Sequence, residues 1–214
     1  MEHFITVRRT ARYYTLGNAD APQLWIVCHG YAQLARSFIR YFEVIDDGSR
    51  LIVAPEALNR YYHESAPGVH APDARVGATW MTREDREHEI EDYIAYLDQL
   101  VRHVSDGRQR TITALGFSQG AATVSRWAAR GSTRIDHVVL WGSPPAHDLV
   151  DDELARLSGR LTIAIGTADP SIPPGEVERQ DERLRHASVE YELMRYHGVH
   201  RVESDALKEL VTRR

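Results

Sequence analysis

The residues best equipped for chemistry lie between Thr111 and Ala122, where the chain reads Thr-Ile-Thr-Ala-Leu-Gly-Phe-Ser-Gln-Gly-Ala-Ala. An apolar, strand-like run enters Gly116-Phe117-Ser118-Gln119-Gly120, and small residues suited to a helix start follow it. A sharp strand-to-helix turn lifts a serine clear of a sheet and holds its backbone in a strained conformation. Glycines on either side let strand and helix close on each other. The helix N-terminus behind the serine offers free N–H groups and a positive dipole end to developing negative charge. The pattern therefore predicts Ser118 as the nucleophile of an acyl-transfer reaction. A plain glycine-rich turn would satisfy the five-residue pattern but not its strand–turn–helix setting.

A nucleophilic serine needs a base to take its proton and a carboxylate to orient that base. With the nucleophile on such a turn the expected chain order is Ser, then Asp or Glu, then His. Asp169 follows the apolar run Leu161–Gly166 within Thr167-Ala168-Asp169-Pro170, and Pro170 bars a helix from running through it. Catalytic groups gather at the carboxyl edge of an open α/β sheet, which favours Asp169. Asp148 and Asp151, after the preceding strand, are its rivals. For the base, Tyr196-His197-Gly198-Val199-His200 precedes the last helix. His200 holds the expected place and His197 competes with it. His197 and His200 also have the spacing of a metal-ligand pair, but no His-Glu-x-x-His run or clustered carboxylates accompany them, so no metal is predicted.

The oxyanion of a tetrahedral intermediate needs two N–H donors. One is expected from the residue after the nucleophile, Gln119, and one from a loop after an earlier strand. The run Trp25-Ile26-Val27-Cys28-His29-Gly30-Tyr31 reads as a strand entering a turn, which nominates the Tyr31 N–H. Cys28 reads as buried packing.

These groups require a frame. Strand-like runs occur at Phe4–Arg8, Arg12–Leu16, Leu24–His29, Leu51–Ala54, Thr111–Gly116, His137–Trp141, Leu161–Gly166 and Val189–Arg195. The first two are expected to pair as an antiparallel hairpin. The later ones are continuously apolar, as parallel strands buried on both faces are. Helical patterns alternate with them at Leu34–Phe42, Gln119–Ala129, Asp152–Leu157, Glu176–His186 and Asp205–Val211. The clearest helix aligns Ile90, Tyr93, Ile94, Leu97, Leu100, Val101 and Val104, with Thr82 as its expected N-cap and Gly107 after its end. Such alternation predicts an α/β fold, a mostly parallel central sheet flanked by helices on both faces. Residues 1–214 read as a single domain with no separate cap domain. Residues 55–81 lack clean periodicity and read as a long loop near the site. There Tyr61, Tyr62, Trp80 and Met81 are candidate substrate-pocket residues.

Composition removes other classes. The 214 residues are 43% hydrophobic and carry a formal net charge of −5 without a basic block, so nucleic acid is not an expected partner. A single cysteine rules out an intramolecular disulfide. The start Met-Glu-His-Phe-Ile-Thr has no signal-peptide pattern, and no apolar run approaches the roughly 20 residues of a membrane helix. A cytoplasmic protein without stable membrane insertion is expected; oligomeric state is not legible.

His29-Gly30-Tyr31, the Gly-Phe-Ser-Gln-Gly run, Asp169 and His200, together with Pro55-Glu56 and Trp80, resemble the α/β-hydrolase carboxylesterase and phospholipase group that includes the acyl-protein thioesterases. The resemblance spans nearly the whole chain. It implies a triad of Ser118, Asp169 and His200, no cofactor, and hydrolysis of small-molecule acyl esters or thioesters, with lysophospholipids among the candidate substrates. Val199 stands between Gly198 and His200, where the group often has glycine directly before the histidine. The loop after Tyr31 also lacks the acidic, glycine-rich run of the thioesterases. Two other readings use the same frame: a non-catalytic binding protein, and an acyltransferase or perhydrolase acting through the same triad.

Overall fold

A computed structural model describes residues 1–63 and 74–213. Seven strands form one sheet: β1 (Tyr13–Gly17), β2 (Gln23–Cys28), β3 (Arg50–Pro55), β6 (Thr111–Phe117), β7 (His137–Trp141), β8 (Leu161–Gly166) and β9 (Tyr191–Tyr196). Their order is β1-β3-β2-β6-β7-β8-β9, with β1 antiparallel to β3 and every other pairing parallel. Strands β3, β7 and β8 are buried along their whole length, which their unbroken apolar runs require.

Alternation along each strand splits the core into two layers. Leu24, Ile26 and Cys28 of β2 face one side, where helices α2 (Arg86–Ser105), α3 (Gln119–Arg130) and α5 (Glu176–His186) pack through Tyr93, Trp127 and Leu184. Trp25 and Val27 face the other, against Phe38 and Leu207 from α1 (Ala35–Phe38) and α6 (Ser204–Thr212). Helix α4 (Asp151–Ala155) follows β7. This is the mostly parallel sheet with helices on both faces that the sequence predicts, and no separate cap domain stands over it among the described residues.

Four local expectations are corrected. The segment Phe4–Arg8 is not a strand and makes no hairpin; Tyr13–Gly17 pairs instead with β3, from Tyr13 opposite Pro55 to Gly17 opposite Leu51. Phe4, Ile5 and Val7 stay exposed, so alternation there has no core to serve. Thr82 does not cap the long helix: Asp85, at φ 47°, occupies that position, and the Thr82 N–H is taken by Glu89 Oε2 at 2.6 Å. The Leu34–Phe42 pattern divides into α1 and a 3₁₀ stretch, Ile39–Ile45.

Finally, the presumed loop over residues 55–81 contains an antiparallel hairpin of β4 (Asn59–Tyr62) and β5 (Val76–Thr79). Its short strands carry Gly77 and too few apolar positions to show a period. Residues 64–73, with Pro67, Gly68 and Pro72, lie outside the described residues.

Candidate active site

Ser118 stands between β6 and α3, as the helix N-cap, with φ 54° and ψ −116°, a conformation L-residues rarely adopt. A neighbouring strand holds it there, since its N–H donates to Trp141 O at 2.9 Å. The flanking glycines are sterically required. A Cβ on Gly116 would lie 2.1 Å from Gly120 O, and one on Gly120 would lie 2.2 Å from Cys28 O.

The sheet then brings distant loops to this turn. Pairing of β8 with β9 runs to Gly166 opposite Tyr196, and Thr167 N–Tyr196 O and Ala168 N–Gly198 O, both 2.9 Å, continue it into the loops. Gly166 permits that approach, because a Cβ there would meet Gly198 O at 2.5 Å. Asp169 and His200 are thereby set side by side. His200 Nδ1 lies 2.7 Å from Asp169 Oδ2, and His200 Nε2 lies 3.0 Å from Ser118 Oγ. With its proton on Nδ1, the imidazole donates to the carboxylate and accepts from the serine hydroxyl. The second carboxylate oxygen accepts from Ser171 N–H at 2.8 Å, and Asp169 is buried, at 7% exposure. The His200 ring packs on Phe117, centroids 4.8 Å apart, and against Gly142. Trp141 Nε1 anchors the loop through Tyr196 Oη (2.8 Å) and Arg201 O (3.0 Å).

The rivals are engaged elsewhere. His197 is exposed. Asp148 binds Arg126 at 2.7 Å and Arg86 at 2.9 Å, and Asp151 faces His186 at 3.5 Å. Burial works to raise the Asp148 carboxyl, but the hydrogen bonds and charges of Arg126 and Arg86 outweigh it and hold it far below the usual carboxylate range. Burial pushes the Cys28 thiol well above its ordinary value, so it stays protonated and inert.

Among the described residues, two N–H groups near the Ser118 turn have no acceptor. Gln119 opens α3, and a first-turn N–H has no intrahelical partner. In the turn after β2, Gly30 N donates to Gln33 Oε1, Ala32 N to Ala78 O and Gln33 N to Gly30 O, which leaves the Tyr31 N–H over. His29 fixes its direction. His29 Nδ1–H donates to Gly30 O at 2.8 Å, so the trans peptide carrying that carbonyl points the Tyr31 N–H the opposite way. His29 Nε2 accepts from Ala57 N at 3.1 Å, and burial holds the ring below its ordinary pKa and hence neutral.

Sequence reasoning missed a brace between these donors. The Gln119 side chain donates to Thr79 Oγ1 and Met81 O, both at 2.9 Å, and accepts from Trp80 N at 3.1 Å. Hairpin β4–β5 also pairs with the Tyr31 turn through Ala32 N–Ala78 O (2.9 Å) and Ala78 N–Gln33 O (3.2 Å). One hairpin thus touches both turns. Only the juxtaposition of Thr79 with Gln119, 40 positions apart, reveals this, and no local pattern encodes it.

The four expected pocket residues are scattered in role. Trp80 is 1% exposed, and its indole N–H donates to His29 O at 2.8 Å, so it props the turn from inside the core. Met81 packs at the edge of that core beside Arg126. Tyr61 lies against Tyr31, and Tyr62 is exposed. Among the described residues no group of three or more His, Cys, Asp or Glu could hold a metal ion, and no helix is long and apolar enough to cross a membrane.

Sheet order, strained serine turn and convergent loops define an α/β-hydrolase. Residues 51–201 match the family model for the dienelactone hydrolase family, and the chain belongs to that family. Among solved structures it is similar to esterase PE8, with a TM-score of 0.70 at 18% identity over 95% of this chain and 97% of that one. A carboxylesterase from Mesorhizobium loti matches with TM-score 0.70 at 18% identity, covering 94% of each chain. Zea mays acyl-protein thioesterase 2 matches with TM-score 0.68 at 14% identity over 95% and 97%. Identities this low speak for shared fold alone. No curated protein sequence matches the chain.

Proposed function

We propose that this protein is a serine esterase that hydrolyses small-molecule carboxylic esters or thioesters through an acyl-enzyme on Ser118. The observation that carries the reading is the unbroken series of hydrogen bonds from Ser118 Oγ to His200 Nε2 and from His200 Nδ1 to Asp169. Membership of a hydrolase family and likeness in fold to esterases agree with it.

Ser118 Oγ attacks the substrate carbonyl carbon while its proton passes to His200 Nε2. The resulting imidazolium is stabilised by the Asp169 carboxylate. The carbonyl oxygen becomes an oxyanion, which the Tyr31 and Gln119 N–H groups bind more strongly than the neutral ground state. Collapse of the intermediate expels alkoxide or thiolate, which takes the proton from His200. Water then repeats the sequence on the acyl-enzyme, releasing the acid and restoring Ser118. No cofactor enters any step.

The test is a chain-length series of p-nitrophenyl esters and matching thioesters on wild type and Ser118→Ala, with fluorophosphonate labelling alongside. Wild type is expected to turn over and label, and Ser118→Ala to do neither. Wild-type turnover by the alanine variant, or no labelling of wild type, overturns the reading.

A further inference from the structure

Three rings stand in a row beginning at the proposed oxyanion donor. Tyr31 and Tyr61 have centroids 5.6 Å apart with 30° between their planes, and Tyr61 and His63 are again 5.6 Å apart, at 46°. Tyr31 is 58% exposed. Its turn packs against Phe117, the residue before the nucleophile: a Cβ on Gly30 would be 3.0 Å from the Phe117 ring.

The row is held rigidly. Besides the two backbone bonds between the hairpin and the Tyr31 turn, His63 Nε2 lies 3.1 Å from Ala32 O. Gly77 lies so close to this turn that a Cβ there would be 2.7 Å from both Ala32 O and His63 Nε2. Ala32 itself has φ +66°, a strained value for alanine that the surrounding bonds impose. Burial pushes the Tyr61 phenol above its ordinary pKa, so its ring carries no charge at neutral pH.

Resting on the esterase reading, we propose that the Tyr31–Tyr61–His63 row is a substrate subsite for an aromatic group of the ester. Aromatic pairs prefer offset or tilted contacts with centroids 4.5–7 Å apart, and the row already has this spacing. A substrate ring continues it against the outward part of Tyr31. An alicyclic group of equal size buries similar area without the quadrupole contact, which makes the aromatic preference about two- to tenfold in kcat/KM.

The aromatic group belongs either to the acid or to the alcohol part of the ester, and paired substrates separate the two. Methyl phenylacetate against methyl cyclohexylacetate probes the acyl side; benzyl acetate against cyclohexylmethyl acetate probes the leaving-group side. In one pair, the aromatic-to-alicyclic ratio of kcat/KM is expected to fall about two- to tenfold in Tyr31→Leu and Tyr61→Leu, and to persist in Tyr61→Phe. Labelling of Ser118 by fluorophosphonate checks that each variant is folded. On wild type alone, 2-phenylethylboronic acid is expected to inhibit more tightly than 2-cyclohexylethylboronic acid. Unchanged ratios in both pairs, or equal inhibition by the two boronic acids where the acyl-side pair is the one that discriminates, overturn the subsite and leave the esterase reading standing. Wild type that hydrolyses none of the four esters and takes no label overturns both.

Discussion

The imidazole of His200 and the carboxylate of Asp169 meet at 2.7 Å across 31 positions of sequence, and Ser171 N–H holds the far carboxylate oxygen at 2.8 Å. The contact leaves Asp169 one orientation and His200 one tautomer. Asp169→Asn replaces an acceptor with an amide that can present a donor to Nδ1, and so favours the wrong tautomer. Turnover is expected to fall about 10⁴-fold with little change in KM. Steady-state kinetics on soluble esters check this, and a loss under tenfold would remove Asp169 from the mechanism.

Asp148 makes the contrasting case. It lies among Arg126, Arg86 and Arg130, away from His200, and Arg126 is nearly buried. Asp148→Asn leaves those cations poorly compensated and is expected to cost about 3 kcal/mol in stability. The fluorophosphonate labelling rate of the protein that remains folded should stay near wild type. Urea denaturation and labelling kinetics measure the two effects separately.

Gly142 is a test of how tightly His200, the proposed base, is held. Its φ is +68°, and a Cβ there would stand 3.1 Å from His200 Cε1 and 3.2 Å from Nδ1. Gly142→Ala meets backbone strain of about 1 kcal/mol and displaces the imidazole as well. Misplacing a catalytic group by a fraction of an ångström should lower kcat about ten- to a hundredfold. Comparing kcat with Tm tells displacement of His200 from simple unfolding.

The brace between the two proposed oxyanion turns predicts a kcat effect from a residue that touches no substrate. Thr79→Val removes the hydroxyl that accepts from Gln119 and donates to Met81 O, at nearly constant volume. Deleting one oxyanion donor costs about 10²–10³ in turnover, so loosening one should cost about tenfold, with KM nearly unchanged. Thr79→Ser should restore the rate. Equal losses in both variants would mean that the methyl group, not the hydroxyl, matters.

Two buried groups, His29 and Asp98, shape the pH dependence of stability, and the Arg-paired Asp148 adds to its acid limb. Burial lowers the pKa of His29, whose neutral Nε2 must accept from Ala57 N–H. The unfolded chain takes up this proton near pH 6.5 and the folded one only at lower pH. The stability His29 contributes is therefore complete above about pH 6.5 and is lost as pH falls from there toward its folded value. Asp98 adds a second, more acidic step. Burial alone would raise its carboxyl, but hydrogen bonds from Ser132, Trp127 and Thr133 bring it down to about 2. Its share is complete above about pH 4 and disappears as pH falls through about 2. Urea midpoints from pH 8 to pH 3 should fall in two stages. His29→Gln should flatten the first, and Asp98→Asn should shrink the second to the part that Asp148 contributes.

Local chemistry made part of this molecule readable. The unbroken apolar runs announced β3, β7 and β8 because a strand covered on both faces has no polar position to spare. Gly116, Ser118 and Gly120 announced a strand-to-helix turn because no other residues fit that crossing. The order of Asp169 and His200 after Ser118 followed from which strand ends lie on one edge. Phe4–Arg8 misled because alternation marks a strand only where a partner and a core await it. The hairpin at Asn59–Tyr62 and Val76–Thr79 was hidden because its pairing, not its composition, makes it a strand pair.

What the sequence by itself determined was the set of chemical groups and the frame that carries them. Tertiary structure alone decided which groups meet. It placed His200 rather than His197 beside Ser118, and Asp169 rather than Asp148 beside His200, because pairing between β8 and β9 extends into their loops. It also moved Trp80 from expected pocket wall to buried prop, and turned the Gln119 side chain into a tie to Thr79. These outcomes rest on distances between residues remote in the chain, set by sheet register and helix packing.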